Sequence, residues 1–208
     1  MGFVQSFHGS HRMIRGLVLA GGKSSRFGSD KALALYEGVS FLERALLFLR
    51  ALNLEPIVVT RKDADYSFAK CAMVRDKLPD LGPLGGIYTA MTIFKNITFL
   101  VLTCDMPALT PSALSGLLAK HEPHCLITAY GTEDGSAQPF PAVYGPSLLG
   151  LIRKKIEQNN LSMRGLIEEV SAKKIIPWKG DTASFFNVNK KEDLKKSQAD
   201  KDFIYRPS

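Results

Sequence analysis

Short unbroken apolar runs alternate along this chain with stretches whose apolar residues recur every three or four positions. Residues 17–20 (LVLA) have no polar break, as expected of a strand buried on both faces, and Pro56–Thr60 (PIVVT), residues 71–74, Thr98–Thr103 (TFLVLT) and residues 125–130 (CLITAY) repeat the pattern. Between them, Ser40-Phe-Leu-Glu43 has the form of a capping box, and Phe41, Leu42, Ala45, Leu46, Leu49 and Leu52 follow at helical spacing. Residues 63–70 read as a short helix. Thr110 and Pro111 read as the N-cap and first position of a helix through Lys120. Residues 146–158 form an amphipathic pattern that stops at Asn159-Asn160, and Ser162 opens a shorter helix containing Arg164. The alternation predicts βαβ units, hence an α/β fold with a mostly parallel sheet flanked by helices.

Two stretches resist this reading. Residues 75–87, RDKLPDLGPLGGI, are too rich in proline and glycine for regular structure and read as a loop at a strand's carboxyl end, where open α/β sheets bind ligands. Residues 138–144, QPFPAVY, are strand-like, but Pro139 and Pro141 confine them to an edge or an irregular segment. Residues 1–15 lack periodicity and are expected to be a disordered extension. A single domain then spans 16–196, with a tail over 197–208.

A chain of 208 residues, 45% of them hydrophobic, is enough for one well-packed core. No apolar run approaches the about 18–20 residues of a membrane span and no leader pattern opens the chain, so a cytoplasmic protein is expected. Cys71, Cys104 and Cys125 lack C-x-x-C spacing and read as reduced thiols, with Cys104 a small buried hydrophobe. His8 and His11 have no cysteine or carboxylate partners nearby, and His121 and His124 read as surface residues. The formal charge of +7 suits anionic partners. Five lysines between 190 and 201 lack interleaved aromatics and read as a solvated helix face, which makes nucleic-acid binding the lesser alternative.

The candidate chemistry lies where residues 17–20 run into Gly21-Gly22-Lys23-Ser24-Ser25-Arg26. Glycines admit backbone N–H groups close to an oxyanion, serines add hydroxyl donors, and Lys23, Arg26 and Lys31 add positive charge. Neither a G-x-x-x-x-G-K-S/T loop nor a G-x-G-x-x-G fingerprint is present. The string Leu19-Ala-Gly-Gly-x-Ser-x-Arg26-x-Gly-x-Asp-Lys31-Ala-Leu33 resembles the first signature of the molybdenum cofactor guanylyltransferase family, with Phe27 where methionine is common. Two more strings resemble family motifs in matching order: Asp76 to Ile87 (DKLPDLGPLGGI) and Cys104-Asp105-Met106-Pro107. The closing Phe185-Phe-Asn-Val-Asn189 fits too, although Lys190-Lys191 stand where the family has Thr-Pro.

The resemblance implies a Rossmann-like nucleotidyltransferase fold and transfer of GMP from GTP to the phosphate of molybdopterin or its molybdenum-loaded form. Leu19, Ala20, Gly21 and Gly22 become the backbone wall of the nucleotide site. Arg26 and Lys31 stabilise phosphate charge, and Lys31 is the first candidate for catalysis. Asp76 is expected at the guanosine, Thr60 stands where many members place an asparagine near the nucleotide, and Asp105 is the implied Mg²⁺ ligand, with Asn189 or Asn187 completing the site. Gln138 and Arg164 are expected to face the pterin. A monomer is expected, served by a protein that delivers the cofactor. The alternatives are a cytidylyltransferase or related transferase acting on another phosphorylated acceptor, and a non-catalytic nucleotide- or nucleic-acid-binding module. Gly22 and GPLGGI favour the guanylyl branch, because the cytidylyl relatives look like LAAG at the first loop.

Overall fold

In a computed structural model, the structure describes residues 13–21, 30–61, 64–189 and 193. Strand β1 (Ile14–Leu19) takes in two residues ahead of the expected domain start. A two-stranded hairpin, β2 (Leu35–Tyr36) and β3 (Val39–Ser40), leads to helix α1 (Phe41–Ala51). The capping box is present in full: Ser40 Oγ accepts from the Glu43 N–H, and the Glu43 carboxylate accepts from the Ser40 N–H. Such a cap is worth about 1 kcal/mol. Next come β4 (Pro56–Thr60), β5 (Ala72–Arg75), α2 (Gly82–Ile93), β6 (Thr98–Thr103) and α3 (Pro111–Lys120), the last capped by Thr110 as expected. The chain continues through β7 (Ile127–Gly131), β8 (Ala137–Tyr144), α4 (Leu149–Glu157), α5 (Met163–Glu169) and β9 (Lys173–Pro177).

Seven strands form one sheet in the order β5-β4-β1-β6-β8-β7-β9. β8 runs antiparallel to both neighbours and every other pairing is parallel. Alternate side chains of the strands point to opposite faces. On one face Val18, Val58, Leu100 and Leu102 pack against Leu42, Leu46 and Leu49 of α1 and Leu114 and Leu117 of α3. On the other, Leu17, Ile57, Phe99 and Val101 meet Leu84 and Ile87 of α2, Ile152 of α4 and Leu166 and Ile167 of α5. Coverage of both faces explains the unbroken apolar runs: a strand such as Pro56–Thr60, buried at all five positions, has no solvent side on which to place a polar residue.

Three expectations are corrected. The loop over residues 75–87 holds the start of a twelve-residue helix, α2, with Pro83 in its first turn. Gly82, its first residue, takes a positive φ of 59°, whereas Gly85 and Gly86 are there for proximity. A Cβ on Gly85 would lie 2.6 Å from the Leu78 carbonyl oxygen, and one on Gly86 would lie 3.0 Å from Leu19 Cδ2. The helix is thus pressed onto β1 and the preceding turn more closely than any side chain allows. Gly85→Ala is expected to cost about 1–3 kcal/mol, seen as a lower melting temperature, because backbone has to move.

The second correction concerns the edge position, one of the two expectations for β8: the strand is central, between β6 and β7, and it is the irregular segment that is found. Its ladder with β6 uses only residues 142–144, and its pairing with β7 shifts register between Ala129 and Gly131. Pro139 and Pro141 fall in that break, where neither interrupts a run of paired N–H groups. Third, within the helix expected over 63–70, the described residues form a single 3₁₀ turn, Ser67–Ala69, followed by Lys70 in the left-handed region at φ 46°. Residues 1–12, and the lysines between 190 and 201 expected on a solvated helix face, lie outside the described residues.

Candidate active site

In an open α/β sheet, ligands bind beyond the carboxyl ends of the strands, where the strand order reverses. Here that point is β1: the chain leaves it to form β4 on one side, then crosses by way of α2 to form β6 on the other. A cleft of about 390 Å³ opens there. Leu19, Ala20 and Gly21 at the end of β1 and, beside them, Thr103, Cys104 and Asp105 at the end of β6 line it, and Lys31, Asp76 and Asn189 reach in from the surrounding loops. Gly82, Pro83 and Gly86 from the start of α2 close one side. The first N–H groups of a helix have no intrahelical partner and carry the positive end of its dipole, so this side favours an anion.

At the centre, Lys31 Nζ lies 2.7 Å from Asp105 Oδ2 and 3.2 Å from Asn189 Oδ1. The ammonium occupies one carboxylate oxygen of Asp105. The other, Oδ1, is buried and accepts no hydrogen bond, and the same holds for the hydroxyl of Thr103 two residues earlier. A buried carboxylate oxygen without a partner is costly unless something else binds it. A hard divalent cation fits that position, since carboxylate, amide and hydroxyl oxygens are the donors Mg²⁺ prefers. Cys104 takes no such role: burial, reinforced by the Asp105 charge, pushes its thiol up to about 12, so the nucleophilic thiolate is absent at neutral pH.

Lys31 is positioned by its neighbours. Asp30 Oδ1 accepts from the Ala32 N–H at 3.0 Å and caps the 3₁₀ turn Lys31–Leu33, while its Oδ2 accepts from the Tyr66 hydroxyl at 2.7 Å. Burial, and then the bond to Asp30, push the Tyr66 phenol well above its ordinary pKa, which keeps it a donor. Tyr66→Phe removes a hydrogen bond to a charged group. It is expected to cost about 1.5–3 kcal/mol and to lower turnover through a looser Lys31, measurable by melting and steady-state rates on one preparation. Asn189 is held by a strap that follows β9. Val188 is fully buried against Tyr36 and Phe41, and its N–H donates to the Asp105 carbonyl at 2.9 Å. Asp76 is fixed in turn: its Oδ1 accepts from the Leu78 N–H at 2.9 Å and from the buried Thr89 hydroxyl at 3.0 Å.

The structure therefore brings Leu19, Ala20, Gly21, Lys31, Asp76, Asp105 and Asn189 together around one cleft. Gly22 and Arg26 lie outside the described residues. Thr60 does not line the cleft; its buried hydroxyl donates to the Arg61 carbonyl at 2.9 Å, and the preceding Val59 forms the wall instead. Gln138 and Arg164 sit away from this wall, on β8 and on the exposed side of α5, where the Arg164 charge helps hold the Asp134 carboxyl down at about 2, after the hydrogen bonds from Thr132 and Ser136. The exposed Asn187 meets Asn189 only through its backbone carbonyl, at 3.5 Å. Asp30, Tyr66, Thr89 and Thr103 are the contributors that sequence reasoning missed. Asp30 had a signal, as an aspartate two residues before a backbone N–H it could cap. The others had none without the fold.

A glycine, an ammonium and a carboxylate lining one cleft at the reversal point of a doubly covered sheet mark the ligand site of an α/β enzyme. Solved structures share the fold: a nucleotidyl transferase from Methanothermobacter thermautotroptrophicus superposes with TM-score 0.74 at 18% identity, covering 91% of this chain and 98% of that one. The molybdopterin-guanine dinucleotide biosynthesis protein A of Archaeoglobus fulgidus gives 0.70 at 22% identity, covering 91% and 99%. The MobA-like NTP transferase domain family matches residues 16–174; the chain belongs to that family and is a nucleotidyltransferase. It is 35% identical over 192 residues to a probable molybdenum cofactor guanylyltransferase of Thermococcus sibiricus, covering 87% of this chain and 95% of the relative. A relative with the same description in Flavobacterium johnsoniae is 29% identical over 177 residues, covering 85% and 92%.

Proposed function

We propose that this chain transfers GMP from GTP to the terminal phosphate of molybdopterin, or of its molybdenum-loaded form, in the cytoplasm. The observation that carries the reading is Asp105, with one oxygen on Lys31 and the other buried and unpartnered in a cleft walled by Leu19, Ala20 and Gly21. The names of the relatives supply the acceptor and the nucleotide. The reaction forms a bond between an acceptor phosphate oxygen and the α-phosphorus, breaks the bond from that phosphorus to the bridging oxygen, and leaves its electron pair on pyrophosphate. The acceptor phosphate is already anionic at neutral pH, so no strong base is required.

The protein's share of the work is position and charge. Gly21, at the end of β1, and the start of α2 line the cleft on the side that would take the triphosphate. Lys31, set by Asp30 and Tyr66, balances charge that grows on the phosphates. Asp105, with Asn189 beside it, would hold Mg²⁺, which when bound neutralises phosphate oxygens as a Lewis acid. Asp76, immobilised by Thr89, meets the guanosine. The test is a thermal-shift panel of GTP, CTP, ATP and UTP with Mg²⁺, since a ligand held by the native state raises apparent stability by mass action. Chromatographic detection of a guanine dinucleotide product completes it. GTP is expected to stabilise most, and a protein stabilised by CTP but not GTP overturns the guanylyl assignment.

A further inference from the structure

Among the described residues, two buried side-chain oxygens are without a hydrogen-bond partner, Asp105 Oδ1 and Thr103 Oγ1, and both residues line the same cleft. Thr103 ends β6 and Asp105 stands two residues on, in the turn that follows, so both reach the cleft from the carboxyl end of the same strand. Thr103 pairs in register with Leu19 of β1, so its hydroxyl is carried by the central parallel ladder rather than by a loop. A buried hydroxyl with no partner is destabilising, and valine has the same shape without that cost. The four residues before Thr103 in β6, 99–102, are Phe-Leu-Val-Leu. A hydroxyl that packing does not require, beside a carboxylate oxygen in the same condition, points to a shared ligand.

We infer that Thr103 is a positioning residue of the cation site, its hydroxyl serving as a neutral oxygen donor to the divalent cation that Asp105 binds, directly or through one of the ion's water molecules. This rests on the reading of Asp105 given above. Neutral oxygen suits the chemistry, because Mg²⁺ and Mn²⁺ take a few charged ligands and complete their shells with hydroxyl, carbonyl or water oxygen. The carboxylate supplies most of the attraction, so Thr103 tunes affinity and geometry.

The experiment titrates nucleotide-free protein with Mn²⁺ alone and follows loss of the aqueous six-line paramagnetic resonance signal, with melting temperatures measured without metal. Four proteins are compared: wild type, Thr103→Val, Thr103→Ser and Asp105→Asn. Thr103→Val is expected to weaken Mn²⁺ binding about 3- to 10-fold, yet to melt about 2–4 °C higher without metal, because it removes an unsatisfied buried hydroxyl. Thr103→Ser, which keeps the oxygen, is expected to bind within about twofold of wild type, and Asp105→Asn to lose most binding. If Asp105→Asn loses binding while Thr103→Val keeps it, the inference about Thr103 fails and the cation site at Asp105 stands. If both keep wild-type affinity, the cation site fails as well. A lower melting temperature for Thr103→Val with unchanged affinity marks the hydroxyl as structural and overturns the inference.

Discussion

Lys31→Ala is expected to leave a folded protein whose nucleotidyl transfer is slower by about 10²- to 10³-fold, or about 3–4 kcal/mol of transition-state stabilisation. The ammonium lies within hydrogen-bond reach of Asp105 and Asn189 and lines the cleft beside the carboxyl ends of β1 and β6, where the proposed reaction brings phosphate charge. Its loss also leaves Asp105 without its cationic partner, so the melting temperature is expected to fall by a few degrees at most, since the pair retains some contact with solvent. Lys31→Arg keeps the charge but replaces a compact ammonium with a planar fork, and is expected to recover only part of the rate. Wild-type turnover in a pure Lys31→Ala protein would remove Lys31 from the mechanism.

Asp105→Asn is expected to be at least as damaging to turnover while barely touching the fold. Asparagine preserves the backbone carbonyl that accepts from Val188 and retains an oxygen for Lys31. Two stability effects then oppose each other: the variant loses an ion pair, but it no longer buries an unpartnered anionic oxygen. The melting temperature is expected to stay within a few degrees of wild type in either direction. Activity responds to one effect alone, since a neutral amide is a poor ligand for a hard cation. The measurement is a Mg²⁺ titration of transfer rate for both proteins. A variant that matches wild type across the titration would make Asp105 a structural residue.

The legibility of the sequence followed its physics. Strands buried on both faces announce themselves as apolar runs, and the caps at Ser40 and Thr110 fix helix starts to the residue, because each depends on short-range bonding. Helix α2 was hidden because local propensity and tertiary packing disagree there. Gly85 and Gly86 weaken a helix in isolation, but only glycine lets that helix approach Leu78 and Leu19 so closely. The prolines of β8 marked its irregular segment correctly, but its central place depends on pairing with β6 and β7, which β8 itself does not encode. In the candidate site, Lys31, Asp76 and Asp105 stood in recognisable strings. Tyr66 and Thr89 act through Asp30 and Asp76 across 36 and 13 positions of chain, and nothing local marks such partners.

The strap after β9 has a consequence for how the enzyme comes into being. Asn189 is separated from Lys31 by 158 positions, and Val188 seats itself over Tyr36 and Phe41 only after every sheet strand has been made. A nascent chain on the ribosome thus exposes its lysine and carboxylate well before the closing asparagine is translated. A chain cut ahead of Val188 lacks both the N–H that donates to the Asp105 carbonyl and the side chain that covers Tyr36 and Phe41.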